Sequence, residues 1–523
     1  MKTQVSATFF ILILVVHYTF TPIPKCAARD SVTYKPAVFT DPNRAEKVLS
    51  TAAAVDNIFK QFGENRHMPG LVYGVVLDGK LIYSGSFGYA NLERQITADS
   101  HSLFRIASMS KSFTAMAILQ LRDAGKLNLD DPVSKYIPEM KEITYPTTDS
   151  PEITIRHLLT HGAGFPEDNP WGDRQLADTD EELLRIIREG ITFSNVPGVT
   201  YEYSNLGFAI LGQVVQRVSG MDFREYTRKN IFQPLGMNAT VWEYENAPEN
   251  ILAHGYNRVD DSFVNIPLEH HGAFGAMGGL ITTIDDFTKY VALHLSAWPP
   301  RSGADTGPLK RSSLREMHHP WRFIQLNAGF HYPDGRECPV VSAYAYGLHW
   351  MKDCNGRVYI GHSGGLPGFG SNWTMMPGYG LAVMSFDNRT YGSTSGINIA
   401  VLDTIIKMAG LKPRTLPASD ILKKRKNELV KILPDWEGAE SSGLFAGNFF
   451  LDNRLQDLVK HSKTLFRETG RIISIGPMKP LNQLRGTFII EGEKKNIEVF
   501  FTLTPEKEPR IQQVRMSAVK KMQ

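Results

Sequence analysis

Alternating apolar and polar positions predict a β-hairpin in the N-terminal part of the chain. From Leu71 to Ala90, β-branched and aromatic residues alternate with small ones, and the dipeptide Asp78-Gly79 separates the two halves. Asp-Gly readily adopts the positive φ angles of a two-residue turn. The segment is therefore predicted to form a strand, a tight turn and a second strand.

The apolar spacing changes to a helical period after this hairpin. Between Phe104 and Ala124, apolar residues recur about every three or four positions, at Ile106, Met109, Phe113, Met116, Ala117 and Leu121. Such spacing places these side chains near one face of a helix, and Gly125 is a typical helix end. The pattern predicts a helix with Ser108 close to its start.

The remainder of the chain up to about residue 412 combines helical and strand patterns. Residues 125–335 alternate helical segments with loops rich in proline and glycine; the predicted helices are Glu181–Glu189, Leu206–Ser219 and Ile284–Ser296. Strand patterns return at Ala345–Trp350, Arg357–Ile360, Asn372–Met376 and Leu381–Phe386, before a helix at Ser395–Met408. A sheet built from both ends of this region, with a mainly helical insert between them, predicts an α+β architecture.

The chain changes character again after Lys412-Pro413. A basic helix from Asp420 to Leu433 precedes short strand patterns, which are Arg471–Ile475, Gly486–Glu491 and Ile497–Leu503. The predicted organisation is an α+β domain over residues 29–412, a helical linker over 413–435 and a small β domain over 436–523. A length of 523 residues by itself favours two or three folded units.

The first 28 residues have the features of an export signal that is removed from the mature protein. Lys2 precedes an apolar run from Ala7 to Val16, and Cys26-Ala27-Ala28 offers small residues suited to signal peptidase. The alternative is an uncleaved anchor, but the apolar run is shorter than the ~20 residues that span a bilayer. We therefore predict a periplasmic or extracellular protein without an integral membrane span after signal removal.

Charge and cysteine content bear on possible partners. Without Lys2 and Lys25 of the signal, 55 Lys and Arg face 54 Asp and Glu, which gives a formal charge of +1. This balance gives no electrostatic reason to expect nucleic acid or an anionic membrane as a partner. Cys338 and Cys354 are the cysteines that follow the signal, too few for a zinc–thiolate site. They either close one loop as a disulfide or remain free thiols.

A Ser-x-x-Lys element contains the candidate nucleophile, Ser108. Lys111 follows three positions later at the predicted helix start, so its amine and the hydroxyl share one helical face. A lysine with a lowered pKa can take the proton of a serine, and amides at a helix N-terminus favour the negative charge that develops in acyl transfer. An N-cap serine is the alternative for Ser108. The same pattern occurs at Ser517–Lys520 in a polar stretch, and about two matches are expected by chance in a chain of this length.

A Tyr-Ser-Asn element follows in the chain, at residues 203–205, between a Pro-Gly turn and a predicted helix. The phenol of Tyr203 can relay a proton, and the side chain of Asn205 can bind a substrate amide or carbonyl.

A His-Ser-Gly-Gly element, residues 362–365, follows a predicted strand. Its glycines allow a backbone to approach a ligand closely. The amide of Gly365 is a candidate partner for the amide of Ser108 in an oxyanion hole.

In this order, the three motifs resemble those of the serine β-lactamase and penicillin-binding-protein family, in its class C β-lactamase, D-aminopeptidase and family VIII esterase branch. Further similar segments are Leu103–Ala107, Leu158–His161 with Gly164-Phe165, and Gly278–Leu280 with Thr283 and Asp285. The resemblance covers residues 50–410 approximately. It implies an antiparallel sheet flanked by helices with a mainly helical insert, and it implies no cofactor or metal.

The resemblance also implies a role for each motif residue. Three positions are catalytic by this likeness: the nucleophile Ser108, its base Lys111, and the proton relay and general base Tyr203. The substrate-binding positions are Asn205, His362, Gly364 and Gly365. The implied function is an exported serine hydrolase that forms a covalent acyl-enzyme with a small ester, a peptide or a peptidoglycan fragment.

His362 departs from the family pattern, because β-lactamases usually have a lysine at this place, in Lys-Thr-Gly. A permanently charged lysine holds the carboxylate of a β-lactam, whereas a largely neutral histidine does so poorly. The departure favours esters or peptides as substrates, and β-lactam hydrolysis remains an alternative.

Two alternatives come from other classes of protein. Residues 361–365 also match Gly-x-Ser-x-Gly, the nucleophile elbow of α/β-hydrolases, with Ser363 as nucleophile and Asp387 and His461 in the required chain order. An elbow must run into a helix, which the following Leu-Pro-Gly disfavours. The other alternative is a catalytically silent protein that binds peptidoglycan fragments or a partner in the same cleft. Metal hydrolysis is disfavoured because the 15 histidines include no His-Glu-x-x-His or comparable ligand cluster.

Overall fold

The computed structural model describes residues 34–392 and 394–521, which divide into two compact units. The larger unit spans Pro36–Thr415, and the smaller one runs from Leu416 toward the C-terminus and includes Lys35. The predicted export signal lies outside the described residues. Within those residues, no helix has the length and apolar character needed to cross a membrane.

A nine-stranded antiparallel sheet organises the larger unit. The strands of this unit in chain order are β1 (Gly70–Leu77), β2 (Lys80–Asn91), β3 (Ile96–Thr97), β4 (Phe104–Arg105), β5 (Gly255–Val259), β6 (Ser262–Ile266), β7 (Ile281–Thr282), β8 (Arg322–Asn327), β9 (Val340–Tyr344), β10 (His349–Asp353), β11 (Val358–Leu366), β12 (Phe369–Met376) and β13 (Leu381–Asp387). The order across the main sheet is β3-β2-β1-β13-β12-β11-β10-β9-β8, while β4 pairs with β7 and β5 with β6. The strands from the two ends of the unit meet where β1 pairs with β13, as the sequence predicts.

The predicted hairpin is present as β1 and β2. Asp78 and Gly79 connect the two strands with φ angles of +51° and +79°. These are the positive values that an Asp-Gly pair adopts readily in a two-residue turn. Every residue of β1 is buried, because this strand lies inside the sheet and both of its faces are covered. Its continuous run of apolar residues therefore packs against the cores on both faces of the sheet.

Helices cover both faces of the sheet. The α-helices of the larger unit are Arg44–Leu49, Ala52–Asn65, Lys111–Asp123, Ile155–Leu159, Asp180–Glu189, Asn205–Ser219, Phe223–Thr227, Gln233–Leu235, Gly275–Gly278, Ile284–Ser296, Arg311–Met317 and Ser395–Met408. The second and the last of these pack on one face, in a core that includes Phe59, Val75 and Val401. The helices between β4 and β8 pack on the other face, in a core that includes Phe113 and Trp373. This arrangement confirms the predicted α+β class.

Two predicted elements differ most from the structure. The helix expected from Phe104 begins at Lys111, because residues 104–105 pair with β7 and Ala107–Ser110 form a 3-10 turn. The strand predicted at Ala345–Trp350 is present only at its last two residues, which begin β10, since residues 345–348 form a turn between β9 and β10 in which Gly347 has a φ of +64°. Cys338 and Cys354, whose state the sequence left open, form a disulfide.

The smaller unit contains a five-stranded sheet and three α-helices among its described residues. Its strands are β14 (Ile472–Ile475), β15 (Lys479–Asn482), β16 (Arg485–Gly492), β17 (Asn496–Leu503) and β18 (Ile511–Val519), and its helices are Asp420–Ile432, Phe449–Asp452 and Leu455–Thr469. The strand order is β14-β16-β17-β18, with β15 also paired to β16. The first helix buries Leu422 and Leu429 in the same core as Phe488 and Val499. It is thus a packed part of this unit, where the sequence suggested a linker over residues 413–435.

Candidate active site

Ser108 lies in the strained 3-10 turn that precedes the helix of the Ser-x-x-Lys element. The preceding residue, Ala107, has a φ of +49°, in a region that residues with a Cβ atom rarely adopt. The hydroxyl of Ser110 donates to the carbonyl of Ala107 over 2.7 Å and accepts from the amide of Leu280 at 3.1 Å. These bonds hold the turn, and Ser108 is 7% exposed.

Lys111 is fully buried and faces Ser108 across one turn. Its Nζ atom lies 2.9 Å from Oγ of Ser108, 2.7 Å from Oδ1 of Asn205 and 3.0 Å from the carbonyl oxygen of Met277. Burial lowers the pKa of Lys111 to about 7. The amine is therefore partly neutral near physiological pH, as a general base must be.

Tyr203 lies beside both residues. Lys111 Nζ is 4.9 Å from the centroid of its ring, and its phenol interacts with the hydroxyl of Ser108. Burial raises the pKa of Tyr203 well above 10, so the phenol keeps its proton at neutral pH. Its ring packs against that of His161 with 4.3 Å between the ring centroids and a tilt of 39°, and Nδ1 of His161 accepts from the amide of Ser204 at 3.1 Å. The loop tyrosine is thus held in place from two sides.

Asn205 begins the helix Asn205–Ser219 and has no exposed surface. Its Oδ1 accepts from Lys111, and its Nδ2 donates to Oδ1 of Asn169 at 2.5 Å. The backbone amide of Asn205 donates to Asp168 at 2.6 Å. Both ends of this side chain already have protein partners, so in this structure Asn205 orients the lysine.

His362 lies on β11 and faces the same cluster, with its ring centroid 6.3 Å from that of Tyr203. Its Nε2 is 2.9 Å from the hydroxyl of Tyr344, and its Nδ1 is 2.5 Å from the carbonyl oxygen of Ser363. A carbonyl can only accept, so Nδ1 carries the proton and Nε2 accepts from the tyrosine. Burial lowers the pKa of His362 well below 6.5, and the imidazole is neutral.

The glycines after His362 bring the strand against the Ser108 turn. A Cβ atom on Gly364 would lie 2.3 Å from the carbonyl oxygen of Ile106, so only glycine fits there. Ser371 on the neighbouring strand β12 donates to the same carbonyl at 2.7 Å. A Cβ atom on Gly365 would lie 3.0 Å from the ring of Tyr391. The close approach places the glycine-lined end of β11 next to the candidate nucleophile.

The structure contradicts the alternative in which Ser363 forms a nucleophile elbow. β11 continues through Ser363 to Leu366, and the chain then turns directly into the antiparallel strand β12 without entering a helix. Ser363 pairs with Asn372 in the sheet, and successive residues of a strand point to opposite faces. The candidate third member, His461, belongs to the smaller unit, where its Nε2 bonds to the carbonyl of Met516.

The structure thus brings the predicted residues Ser108, Lys111, Tyr203, Asn205, His362 and Gly364 into one cluster. It adds side chains that the sequence motifs did not identify, namely His161, Asp168, Asn169, Asp173 and Tyr344. His161 lies in a segment with a family resemblance, which was the available signal for it. The other four come from segments without a motif. Among the described residues, no group of three or more His, Cys, Asp or Glu is arranged to hold a metal ion.

An antiparallel sheet, a helical insert and a buried Ser-Lys-Tyr cluster define a serine hydrolase-type fold of the β-lactamase and transpeptidase class. The family model described as "Beta-lactamase" matches residues 55–404, which is more than half of the chain. The chain therefore belongs to the β-lactamase family, and the resemblance stated from the motifs is confirmed.

Curated relatives and solved structures agree with this placement. Protein flp of Staphylococcus aureus (strain MRSA252) is 27% identical over 341 residues, which are 64% of this chain and 63% of flp. Penicillin-binding protein 4* of Bacillus subtilis (strain 168) is 31% identical over 213 residues, which are 40% of this chain and 45% of that protein. The chain therefore matches less than two thirds of the length of either relative.

Two solved structures share the fold. The octameric penicillin-binding protein homologue from Pyrococcus abyssi superposes with a TM-score of 0.57 at 20% identity, over 90% of this chain and 96% of that one. The penicillin binding protein from Bacillus halodurans gives 0.52 at 24% identity, over 67% and 98%. They confirm the predicted β-lactamase/transpeptidase-like fold.

Proposed function

We propose that the protein is an exported serine hydrolase that cleaves ester or peptide bonds through a covalent acyl-enzyme on Ser108. One observation carries the proposal: the buried amine of Lys111 lies 2.9 Å from the hydroxyl of Ser108 and has no ionised group among its three hydrogen-bond partners, so that it can take the hydroxyl proton as a neutral amine. Such an amine has two N–H donors and one lone pair. Asn205 Oδ1 and the carbonyl of Met277 accept the two donors, which leaves the lone pair for the Ser108 hydroxyl at 2.9 Å.

The proposed reaction follows from this arrangement. Oγ of Ser108 bonds to the substrate carbonyl carbon while its proton passes to Nζ of Lys111. The amides of Ser108 and Gly365 stabilise the resulting oxyanion, since they lie on the turn and strand that meet at Gly364. As the carbon–leaving-group bond breaks, the protonated phenol of Tyr203 gives its proton to the leaving group and recovers one from Lys111. Water then cleaves the acyl-enzyme by the reverse proton path.

The surroundings of His362 support an ester or peptide as the acyl donor. This side chain is neutral, and its two nitrogens already bond to Tyr344 and to the carbonyl of Ser363. It therefore offers neither a positive charge nor a spare donor for the carboxylate of a β-lactam. A small ester, a peptide or a peptidoglycan fragment is the proposed substrate class, and no nucleic acid is a proposed partner.

Export belongs to the same proposal. The signal-like N-terminal sequence supports it, as does the disulfide between Cys338 and Cys354. Disulfides persist in oxidising compartments and are rare in the cytosol. The proposed location is the periplasm or the extracellular medium.

Labelling with a fluorophosphonate probe, read by peptide mass spectrometry, tests the nucleophile. We expect the label on Ser108 in the wild type and in Ser363→Ala, and its loss in Ser108→Ala. A label on Ser363 would refute the proposed function. The same holds if neither the fluorophosphonate nor a panel of esters and penicillins labels the wild-type protein. The second outcome would leave a catalytically silent binding protein.

A further inference from the structure

A buried carboxylate lies directly behind the group that orients Lys111. Asp173 is part of the 3-10 turn Gly172–Arg174 and is 2% exposed. This turn packs on Asn205, because a Cβ atom on Gly172 would lie 2.7 Å from Cβ of Asn205 and 3.0 Å from its Nδ2. Since Asn205 Oδ1 in turn binds Nζ of Lys111, the turn and the lysine both contact the side chain of Asn205.

The direct partners of Lys111 are neutral, so its charge depends on carboxylates further away. Asp173 acts on it more strongly than Asp168. Asp168 accepts three hydrogen bonds, from the amides of Asn205 and Leu206 and from the hydroxyl of Ser204. Oδ1 of Asp173, by contrast, has no hydrogen-bond partner within the described ranges. Asp173 is thus the buried anion that other donors engage least.

Tyr391 connects this carboxylate to the glycine-lined end of β11. Its phenol interacts with Asp173 and lowers the pKa of that carboxyl group. Its amide donates to the carbonyl of Leu366 at 3.2 Å, and its ring packs on Gly365. The ring itself is 43% exposed, so it lies at the surface of the site.

We propose that Asp173 is a positioning residue of the Ser108 site: its turn packs on the Asn205 amide that binds Lys111, its buried carboxylate balances the charge of that amine, and Tyr391 connects this turn to the strand end at Gly365. The role presupposes the proposed function, in which Lys111 is the base. It concerns a residue that none of the sequence motifs contains.

Among the titratable groups around Lys111 and Asp173, Asp173 is the one whose charge is expected to matter most for Lys111. The titratable groups around Lys111 are Asp168, Asp173, Tyr203, His161, His349 and His362. Burial lowers the pKa of all three histidines and raises that of the tyrosine, so these four groups are neutral around the expected midpoint near pH 7. The groups around Asp173 are Lys111, Tyr391, Asp168 and Glu167. Burial raises the pKa of Asp173 to about 6, against the opposing effects of Lys111 and Tyr391.

The direction of the effect follows from Coulomb's law. An ionised Asp173 stabilises the ammonium form and raises the pKa of Lys111. Replacing it with a neutral amide lowers that pKa, so the neutral base appears at lower pH. Because the two groups interact, the observed midpoint belongs to the pair.

The rate of fluorophosphonate labelling at Ser108, measured from pH 5 to 9.5 by intact-mass spectrometry, tests this role. We expect the wild-type rate to rise with a midpoint near pH 7, and Asp173→Asn to move the midpoint down by about one unit. At pH 6 the rate relative to the plateau then increases about five-fold. Tyr391→Phe shifts the midpoint in the same direction by less, because loss of the phenol raises the pKa of Asp173 and reduces its charge.

A matched control comes from the same loop. Asp178 lies five residues after Asp173, and its carboxylate interacts with Glu182 and Arg185. Asp178→Asn should therefore keep the wild-type midpoint. An unchanged midpoint in folded Asp173→Asn would overturn the inference, as would an equal shift in Asp178→Asn. If Asp173→Asn does not fold, an unshifted Tyr391→Phe decides against it. Absence of label on wild-type Ser108 at every pH would instead refute the proposed function.

Discussion

The chain contains the pattern Ser-x-x-Lys in two regions, and the structure treats them differently. Ser108 and Lys111 lie in a 3-10 turn and the helix behind it, with the amine 2.9 Å from the hydroxyl. Ser517 lies on β18 of the smaller unit, an exposed position, and Lys520 follows the strand end, also exposed. On an extended strand, positions i and i+3 point to opposite faces.

The difference shows that burial and local conformation give only the first copy the environment that the proposed base needs. A helical turn places the amine on the side of the hydroxyl, and a closed environment lowers the pKa of Lys111 to about 7. The copy at residues 517–520 has neither feature. Four letters of sequence identify a candidate, and the packing around it decides whether a base exists.

The largest expected effect comes from removing the buried amine. Lys111→Met should lower the rate of Ser108 acylation by roughly 10²–10⁴-fold, since the hydroxyl loses its general base while the apolar side chain fits a buried position. Lys520→Met, the matched change in the exposed copy, should leave the rate unchanged. Stopped-flow labelling with a chromogenic ester measures both. If folded Lys111→Met retains more than a tenth of the wild-type rate, neither lysine is needed for acylation, and the contrast between the two Ser-x-x-Lys copies fails.

The pH profile of ester hydrolysis sharpens the same contrast. Because only neutral Lys111 accepts the proton, kcat/KM should fall on the acid side of a midpoint near pH 7, to roughly 1% of the plateau at pH 5. His362 should contribute nothing to this limb, since burial lowers its pKa well below 6.5. A His362→Asn variant should therefore keep the midpoint. Loss of the acid limb in that variant would show that the histidine, and not the lysine, titrates.

Strong periodicity let the sequence predict several elements closely. The helices at Ile284–Ser296 and Ser395–Met408 have the expected bounds, because a full apolar face recurs along each of them. The helical pattern from Phe104 was misleading at its start, because residues 104 and 105 form strand β4 and pair with β7. That pairing joins residues far apart in the chain, which no local pattern records.

The same limit applies to the candidate site. Ser108, Lys111 and Tyr203 stand in motifs whose spacing reflects one helix turn or one loop. Asp173 stands in a loop with no motif, and the turn that contains it packs on Asn205 through Gly172. A lone acid in such a loop is usually solvated, and its burial is a property of the tertiary structure.

A smaller effect should follow from adding one methyl group at Gly364. A Cβ atom there would lie 2.3 Å from the carbonyl of Ile106 and 2.9 Å from Cβ of Ala107, so β11 and the Ser108 turn must separate. We expect a loss of about 1–3 kcal/mol in the free energy of unfolding, together with an approximately ten-fold lower acylation rate. Denaturant unfolding and labelling rates measure the two quantities.

Gly378→Ala is the control for this change, because a Cβ atom at that position meets nothing within 4 Å. It should match the wild type in both measurements. Wild-type behaviour of Gly364→Ala would mean that the strand and the turn do not meet as closely as in the structure. The close contact with β11 would then no longer distinguish the Ser-x-x-Lys copy at Ser108 from the copy at Ser517.

The smallest expected effect concerns the hydrogen bond from Tyr344 to Nε2 of His362. Tyr344→Phe removes the donor at 2.9 Å from Nε2 and leaves a buried acceptor unsatisfied, which costs about 1–3 kcal/mol of stability. The acylation rate should change only a few-fold, because the bonds of Lys111 to Ser108, Asn205 and Met277 stay in place. Thermal unfolding measures the first quantity, with Tyr89→Phe at an exposed position as the control. A loss of acylation as large as that of Lys111→Met would show that the environment Ser108 needs extends to the Tyr344–His362 pair. The buried amine alone would then not explain the difference between the two Ser-x-x-Lys copies.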